Sequence, residues 1–226
     1  MERLKSLIPS GESAPEFASE RRSPSAPSTE PGSARGWGSV HERHSHGLEQ
    51  FSAPLREQQG LYILDLGGVT QANVVFLTNL GHKLYSEDFL RALDGESAEE
   101  SSPALIEAFL RQNLDFPEAH FDGVLLWDTL QFLPQPLLKA TVDRLCKITK
   151  PGSYMLAFFH ADEKAASVPV YSYRISNAST LTLAHQQMRR PVQLFSNRAV
   201  ERLFQRFQSV KFFLTRDNLR EVIVRR

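Results

Sequence analysis

From Leu61 onward the chain alternates short apolar runs with longer amphipathic stretches. Leu61–Leu66, reading Leu-Tyr-Ile-Leu-Asp-Leu, is stopped by Gly67 and Gly68, which predicts a buried strand followed by a turn. Ala72, Val75, Phe76 and Leu77 then recur at helical spacing as far as Gly81, and a second short apolar run ends in acid at Asp88. Strand, turn, helix and strand in that order place backbone N–H groups and a helix N-terminus at the carboxyl end of the first strand. They place the Asp88 carboxylate at the end of the second, a setting for a ligand that carries a ribose.

The same reading extends in both directions. Leu48, Phe51 and Leu55 predict a short helix before the first strand, bent or started by Pro54. After Asp88, Phe89, Leu90 and Leu93 predict a helical turn, and Pro103 opens a helix with Leu105, Ile106, Phe109 and Leu110 on one face. No β-branched run lies between Asp88 and Leu114, so a third strand is expected to be degenerate or absent. Val124–Trp127 predicts a fully buried strand with Asp128 capping the next turn, then a helix from Pro136 to Ile148 and a strand from Tyr154 to Phe159 closed by His160.

Residues 161–191 show no regular period. Ser196 is placed to cap a helix carrying Val200, Leu203 and Phe207, and Val210–Thr215 and Leu219–Val224 flank a hairpin turn. The expected fold class is α/β: a Rossmann-like doubly wound sheet, mostly parallel, with an antiparallel C-terminal hairpin.

Composition adds a boundary. The 226 residues carry a formal net charge of +0 and are 41% hydrophobic, which suits one α/β domain with an appended segment. Residues 1–47, rich in Ser, Pro, Gly, Glu and Arg, are expected to be disordered, and residues 48–226 to form the domain. Glu2, Glu12, Glu16 and Glu20 argue against a transit peptide, and runs such as Tyr154–Phe159 are too short to span a bilayer, so a cytoplasmic location is expected. The single cysteine, Cys146, excludes an internal disulfide and reads as a buried free thiol beside Leu138, Val142 and Leu145. His41, His44 and His46 with Glu42 read as a solvated linker, because no cysteine or second cluster completes a tetrahedral set, and no metal is expected.

The residues also carry a family resemblance. Asp65, Gly67 and the acid at Asp88 resemble the first motif of class I S-adenosylmethionine-dependent methyltransferases. Asn113–Asp122, Phe121–Asp128, Lys150-Pro151-Gly152 and the closing hairpin resemble that family's later elements, in a type 11-like domain with a degenerate glycine motif. Val69 and Gln71 stand where the family has its second and third glycines. A β-branched residue forced to positive φ at Val69 costs about 1–2 kcal/mol.

The resemblance implies S-adenosylmethionine as cofactor, held by Asp65, Gly67, Gly68, Asp88, Trp127 and Asp128. His160 is the candidate general base, and Tyr171, Tyr173, Arg174 and His185 are candidate substrate contacts. Other roles stand beside these: Trp127 as core packing, Asp128 as a helix cap and His160 as a surface histidine. The function implied is methyl transfer to an unidentified acceptor. The alternative is a non-catalytic methyltransferase-like binding or scaffolding protein; a nicotinamide-dependent enzyme ranks third.

Arginine is dense from Arg189 to Arg226, which raises nucleic acid as a partner. No Asn-Pro-Pro-aromatic stretch follows the fourth strand, as methyltransferases of base amino groups have. A small-molecule acceptor is therefore expected, with no membrane partner.

Overall fold

The computed structural model describes residues 39–95, 102–213, 215 and 218–226. Of the expected N-terminal disorder, residues 1–38 lie outside the described part. The remainder of that expectation is corrected: β1 (Val40–His44) is a strand and α1 (His46–Glu57) follows it at once. Regular structure therefore begins before residue 48. A strand this short, with a charged inward side chain, carries too little apolar signal to be seen in sequence. Pro54 neither starts nor ends α1 but sits inside it.

The main sheet comes from β2 (Tyr62–Asp65), β3 (Lys83–Ser86), β4 (Phe121–Trp127), β5 (Thr149–His160), β8 (Ser209–Phe213) and β9 (Leu219–Arg225), in the order β3-β2-β4-β5-β9-β8. β3, β2, β4 and β5 run parallel, and β9 is antiparallel to both β5 and β8. This is the expected Rossmann-like arrangement, mostly parallel, with the antiparallel hairpin at the edge. Between β3 and β4 the described residues form α3 (Phe89–Asp94) and α4 (Pro103–Asn113) and no strand.

Helices cover both faces, as parallel strands require. On one face, Phe89, Phe109, Leu138, Val142, Leu145 and Val200 pack against the sheet from α3, α4, α5 (Gln135–Ile148) and α6 (Asn197–Leu203). On the other, Leu48, Phe51 and Leu55 of α1 and Leu77 of α2 (Gln71–Asn79) share a core with Ile63, Leu125, Leu156 and Ile223.

Residues 161–191 are more regular than their sequence implied. β6 (Val168–Asn177) and β7 (Thr180–Arg189) form a long hairpin, and β1 adds to β7, giving a three-stranded antiparallel sheet β1-β7-β6. The reason is a register shift between Val170 and Tyr171. Val168 and Val170 are buried on one side of it, and Tyr173 and Ile175 on the other, so the period of two breaks in the middle. Tyr173, Ile175, Leu181 and Leu183 join the α1 side of the core, which lays this small sheet over the main one.

Candidate functional site

The carboxyl ends of β2, β3 and β4 bring most of the implied cofactor residues together. After β2 the chain turns through Gly67 and Gly68, and Gly68 takes φ +79°. Val69 is not among the residues of positive φ and stands 74% exposed, so the strain expected there does not arise. The turn is zipped to the chain leaving β3: the Gly68 amide donates to the Glu87 carbonyl at 3.1 Å, and the Phe89 amide to the Leu66 carbonyl at 3.2 Å. A side chain on Gly68 would meet the Asp88 carboxyl carbon at 3.2 Å. Asp88 is exposed, caps α3 by accepting from the Arg91 amide at 3.1 Å, and lines a hollow of about 370 Å³ with Arg91, Gln112 and Asn113.

Asp65 is completely buried and is used by its own neighbours. Its Oδ1 accepts from the Gly67 amide at 2.9 Å and the Trp127 indole at 2.6 Å, and its Oδ2 from Asn73 Nδ2 at 2.9 Å. Burial raises its pKa and these three donors oppose the rise. Asn73, in the first turn of α2, also donates to the Tyr173 carbonyl at 3.1 Å and accepts from the Ile175 amide at 2.8 Å. One amide side chain thereby fastens β6 onto the β2–α2 turn.

Trp127 lies between them. Its ring stacks on Tyr173, with centroids 4.9 Å apart and planes at 4°, and on Phe158 at 5.9 Å. It sits against Gly67 so closely that a Cβ there would come within 2.4 Å of the indole Cδ1. The absence of a side chain at Gly67 thus admits the indole to the backbone. The backbone of Trp127 is left-handed, φ 49°, which costs about 1–3 kcal/mol for a bulky residue and is characteristic of functional sites.

Asp128 does not act as a cap: its side chain makes no capping bond to the 3-10 turn Thr129–Phe132. It is fully enclosed. Its Oδ2 and the Tyr173 hydroxyl lie close enough to interact, without a hydrogen bond of good geometry between them. The two feel each other electrostatically. Burial pushes the Asp128 carboxyl up to about 7, against the opposing pull of its own amide, the Tyr173 phenol and Arg189. Tyr173 is raised by burial and then by the charge of Asp128.

The folded pKa of Asp128 exceeds its unfolded value, so its contribution to stability is complete below about pH 4 and is lost as pH rises through about 7. Over that window it removes on the order of 4 kcal/mol. We expect Asp128→Asn to match wild type in urea unfolding at pH 4 and to exceed it at pH 8, with a flatter slope between. Parallel pH profiles for the two proteins would contradict this assignment.

His160 lies apart from this cluster. It is buried at the end of β5, and its Nε2 donates to the Pro169 carbonyl at 3.1 Å. It lines a separate cavity of about 420 Å³ with His41, Asp162 and Tyr171. Of the other candidate contacts, Tyr173 turns inward onto Trp127, Tyr171 meets the rings of His41 and His185 at 5.7 and 6.0 Å, and Arg174 is exposed. Sequence reasoning missed Asn73; its signal was a polar residue inside the helical run Ala72–Leu77.

Several tail arginines are engaged rather than presented. Arg189 pairs with Asp94 at 2.8 Å, Arg206 with Asp143 at 2.7 Å, and Arg220 donates to the Phe195 carbonyl at 2.6 Å. Cys146 is half-buried rather than buried. No helix among the described residues is long and apolar enough to cross a membrane.

No family model matches the sequence, and no curated protein matches it. Solved structures do. The 1,6-didemethyltoxoflavin-N1-methyltransferase of Burkholderia thailandensis, which holds 1,6-didemethyltoxoflavin and S-adenosylhomocysteine, is 12% identical over 80% of this chain and 79% of its own, with a TM-score of 0.43. An S-adenosylmethionine-dependent methyltransferase of Aquifex aeolicus is 13% identical over 78% and 88%, at 0.43. A protein of Pyrococcus horikoshii is 11% identical over 79% and 88%, at 0.48.

Proposed function

We propose that the chain is a methyltransferase of the type 11-like kind, transferring a methyl group from S-adenosylmethionine to a small-molecule acceptor at the carboxyl edge of β2, β3 and β4. The observation that carries this reading is convergence: Asp65, Gly67, Gly68, Asp88, Trp127 and Asp128 meet on one edge of a sheet with methyltransferase topology. The turn's backbone suits the cofactor, since Gly68 supplies the positive φ and Asp88 is open to solvent for ribose hydroxyls. The space beside Gly67 does not suit it in this conformation, because Trp127 and Tyr173 occupy it.

Binding at the cleft therefore requires the β6–β7 hairpin to lift. Two Asn73 hydrogen bonds and the Tyr173 stack oppose lifting, roughly 3 kcal/mol together. That lowers apparent affinity roughly 150-fold relative to an open cleft. The bound cofactor supplies an electrophilic methyl group. The chain's part is to align the acceptor and exclude water. His160 is the candidate general base; Asp128, enclosed beneath Tyr173 in this conformation, comes within reach of an acceptor only when the hairpin lifts.

The second reading, a non-catalytic binding or scaffolding protein, is favoured by the same filled space. Calorimetric titration with S-adenosylhomocysteine separates them. We expect weak binding by the wild type that Asp88→Ala removes and Tyr173→Ala strengthens; no heat from any of the three, all folded, would leave only the second reading.

A further inference from the structure

At the junction of β1 and α1, three exposed side chains converge. His44 Nε2 lies 3.3 Å from His46 Nδ1, and the Glu49 carboxylate oxygen lies 3.7 Å from the first and 3.6 Å from the second. This is the one group of three or more potential metal ligands so gathered among the described residues. Its acid is Glu49, one turn into α1, and not Glu42, the neighbour of His41 in sequence.

The three separations have a geometric meaning. Nitrogen and oxygen ligands at about 2.0–2.1 Å from a tetrahedral ion stand about 3.3–3.4 Å from one another, the edge of the tetrahedron. In an octahedron of the same radius, neighbouring ligands stand about 2.9 Å apart. The observed edges fall at the tetrahedral value or a few tenths of an ångström above it, so small side-chain rotations close the set.

The backbone beneath is already fixed. Between the two histidines, the Ser45 amide donates to the Ser179 carbonyl at 2.8 Å, and its hydroxyl donates to Glu221 at 3.0 Å and caps α1 at the Leu48 amide. The Gly47 amide donates to Glu221 at 2.6 Å, and the His46 ring lies over Phe213 with centroids 6.0 Å apart. Only the outer ends of three side chains remain to be ordered, which keeps the entropic cost of binding low.

We propose that His44, His46 and Glu49 form a binding site for a four-coordinate divalent transition-metal ion, zinc in the first place, with a water or an external ligand in the fourth position. Two imidazoles and one carboxylate are a donor set that zinc accepts with an open fourth position. The ion clasps the end of β1 to the first turn of α1 and so secures the strand that edges the three-stranded sheet. The site is independent of the cofactor cleft.

The test uses the full chain, freed of metal by chelation and titrated with zinc by calorimetry and with cobalt(II) by visible absorption. We expect one equivalent of zinc to bind, intense visible bands typical of four-coordinate cobalt, and a higher Tm with zinc. Because all three side chains are exposed, His44→Ala, His46→Ala and Glu49→Gln should fold normally. Each histidine variant should weaken zinc by at least about tenfold, and the double histidine variant should lose both the cobalt bands and the rise in Tm. Zinc binding that survives in the double variant, or wild type that binds no zinc, overturns the proposal.

Discussion

Glu221→Ala is expected to be the most destabilising single substitution in the domain, by about 3–5 kcal/mol, the range for removing one partner of a buried ion pair. Glu221 lies in the middle of β9, fully enclosed, and forms an ion pair with Arg43 of β1, itself buried and set over the Phe158 ring. The same carboxylate accepts from the Ser45 hydroxyl and the Gly47 amide. Removing it leaves a guanidinium, a hydroxyl and a backbone amide in the interior without their common acceptor, and β1 loses its anchor. Replacing both charged residues with apolar ones, Arg43→Met with Glu221→Leu, should cost less than Glu221→Ala alone, because the buried guanidinium is then removed together with its carboxylate. Urea unfolding of the single and double variants measures both. A single variant within about 1 kcal/mol of wild type would mean that the pair contributes no more than a surface bridge.

Asp65→Ala is expected to follow closely, at about 3–4 kcal/mol, since each donor left unsatisfied in the interior costs about 1–3 kcal/mol and such losses add incompletely. Its carboxylate is the common acceptor for the Gly67 amide, the Trp127 indole and Asn73. The strained Trp127 backbone and the docking of β6 through Asn73 both depend on it. The variant should therefore show a second signature: the Trp127 environment changes at native conditions, seen as a shift in tryptophan emission, and hydrogen exchange accelerates along β6 and β7 before the main sheet opens. Loss of stability with unchanged emission and exchange in the hairpin would separate Asp65 from the closure of the cleft.

These two carboxylates also show what the sequence conveys and what it conceals. β2, β4 and β5 are legible because buried parallel strands are continuous apolar runs, and Lys150-Pro151-Gly152 marks the irregular start of β5, directly after α5 ends. The carboxyl edge is legible for the same reason: Asp65, Asp88 and Asp128 are acids that end or follow apolar runs. What those acids do is not legible. Asp88 caps a helix beside an open hollow, Asp128 is an enclosed carboxyl and no cap, and Asp65 serves its neighbours, because each role is set by residues distant in the chain. Glu221 and Arg43 are 178 positions apart, and a charged residue in the short run Leu219–Arg225 reads as the exposed side of an edge strand. The register shift in β6 hides the hairpin that places Tyr173 on Trp127.

The closed cleft is most directly tested by titrating the full-length wild type and Tyr173→Ala with S-adenosylhomocysteine side by side. If Tyr173 and its hairpin hold the cofactor space, removing the ring should tighten binding by roughly tenfold or more, the equivalent of the stacking energy that no longer has to be lost. Equal affinity in the two proteins would contradict the account, because the ligand would then bind without displacing Tyr173.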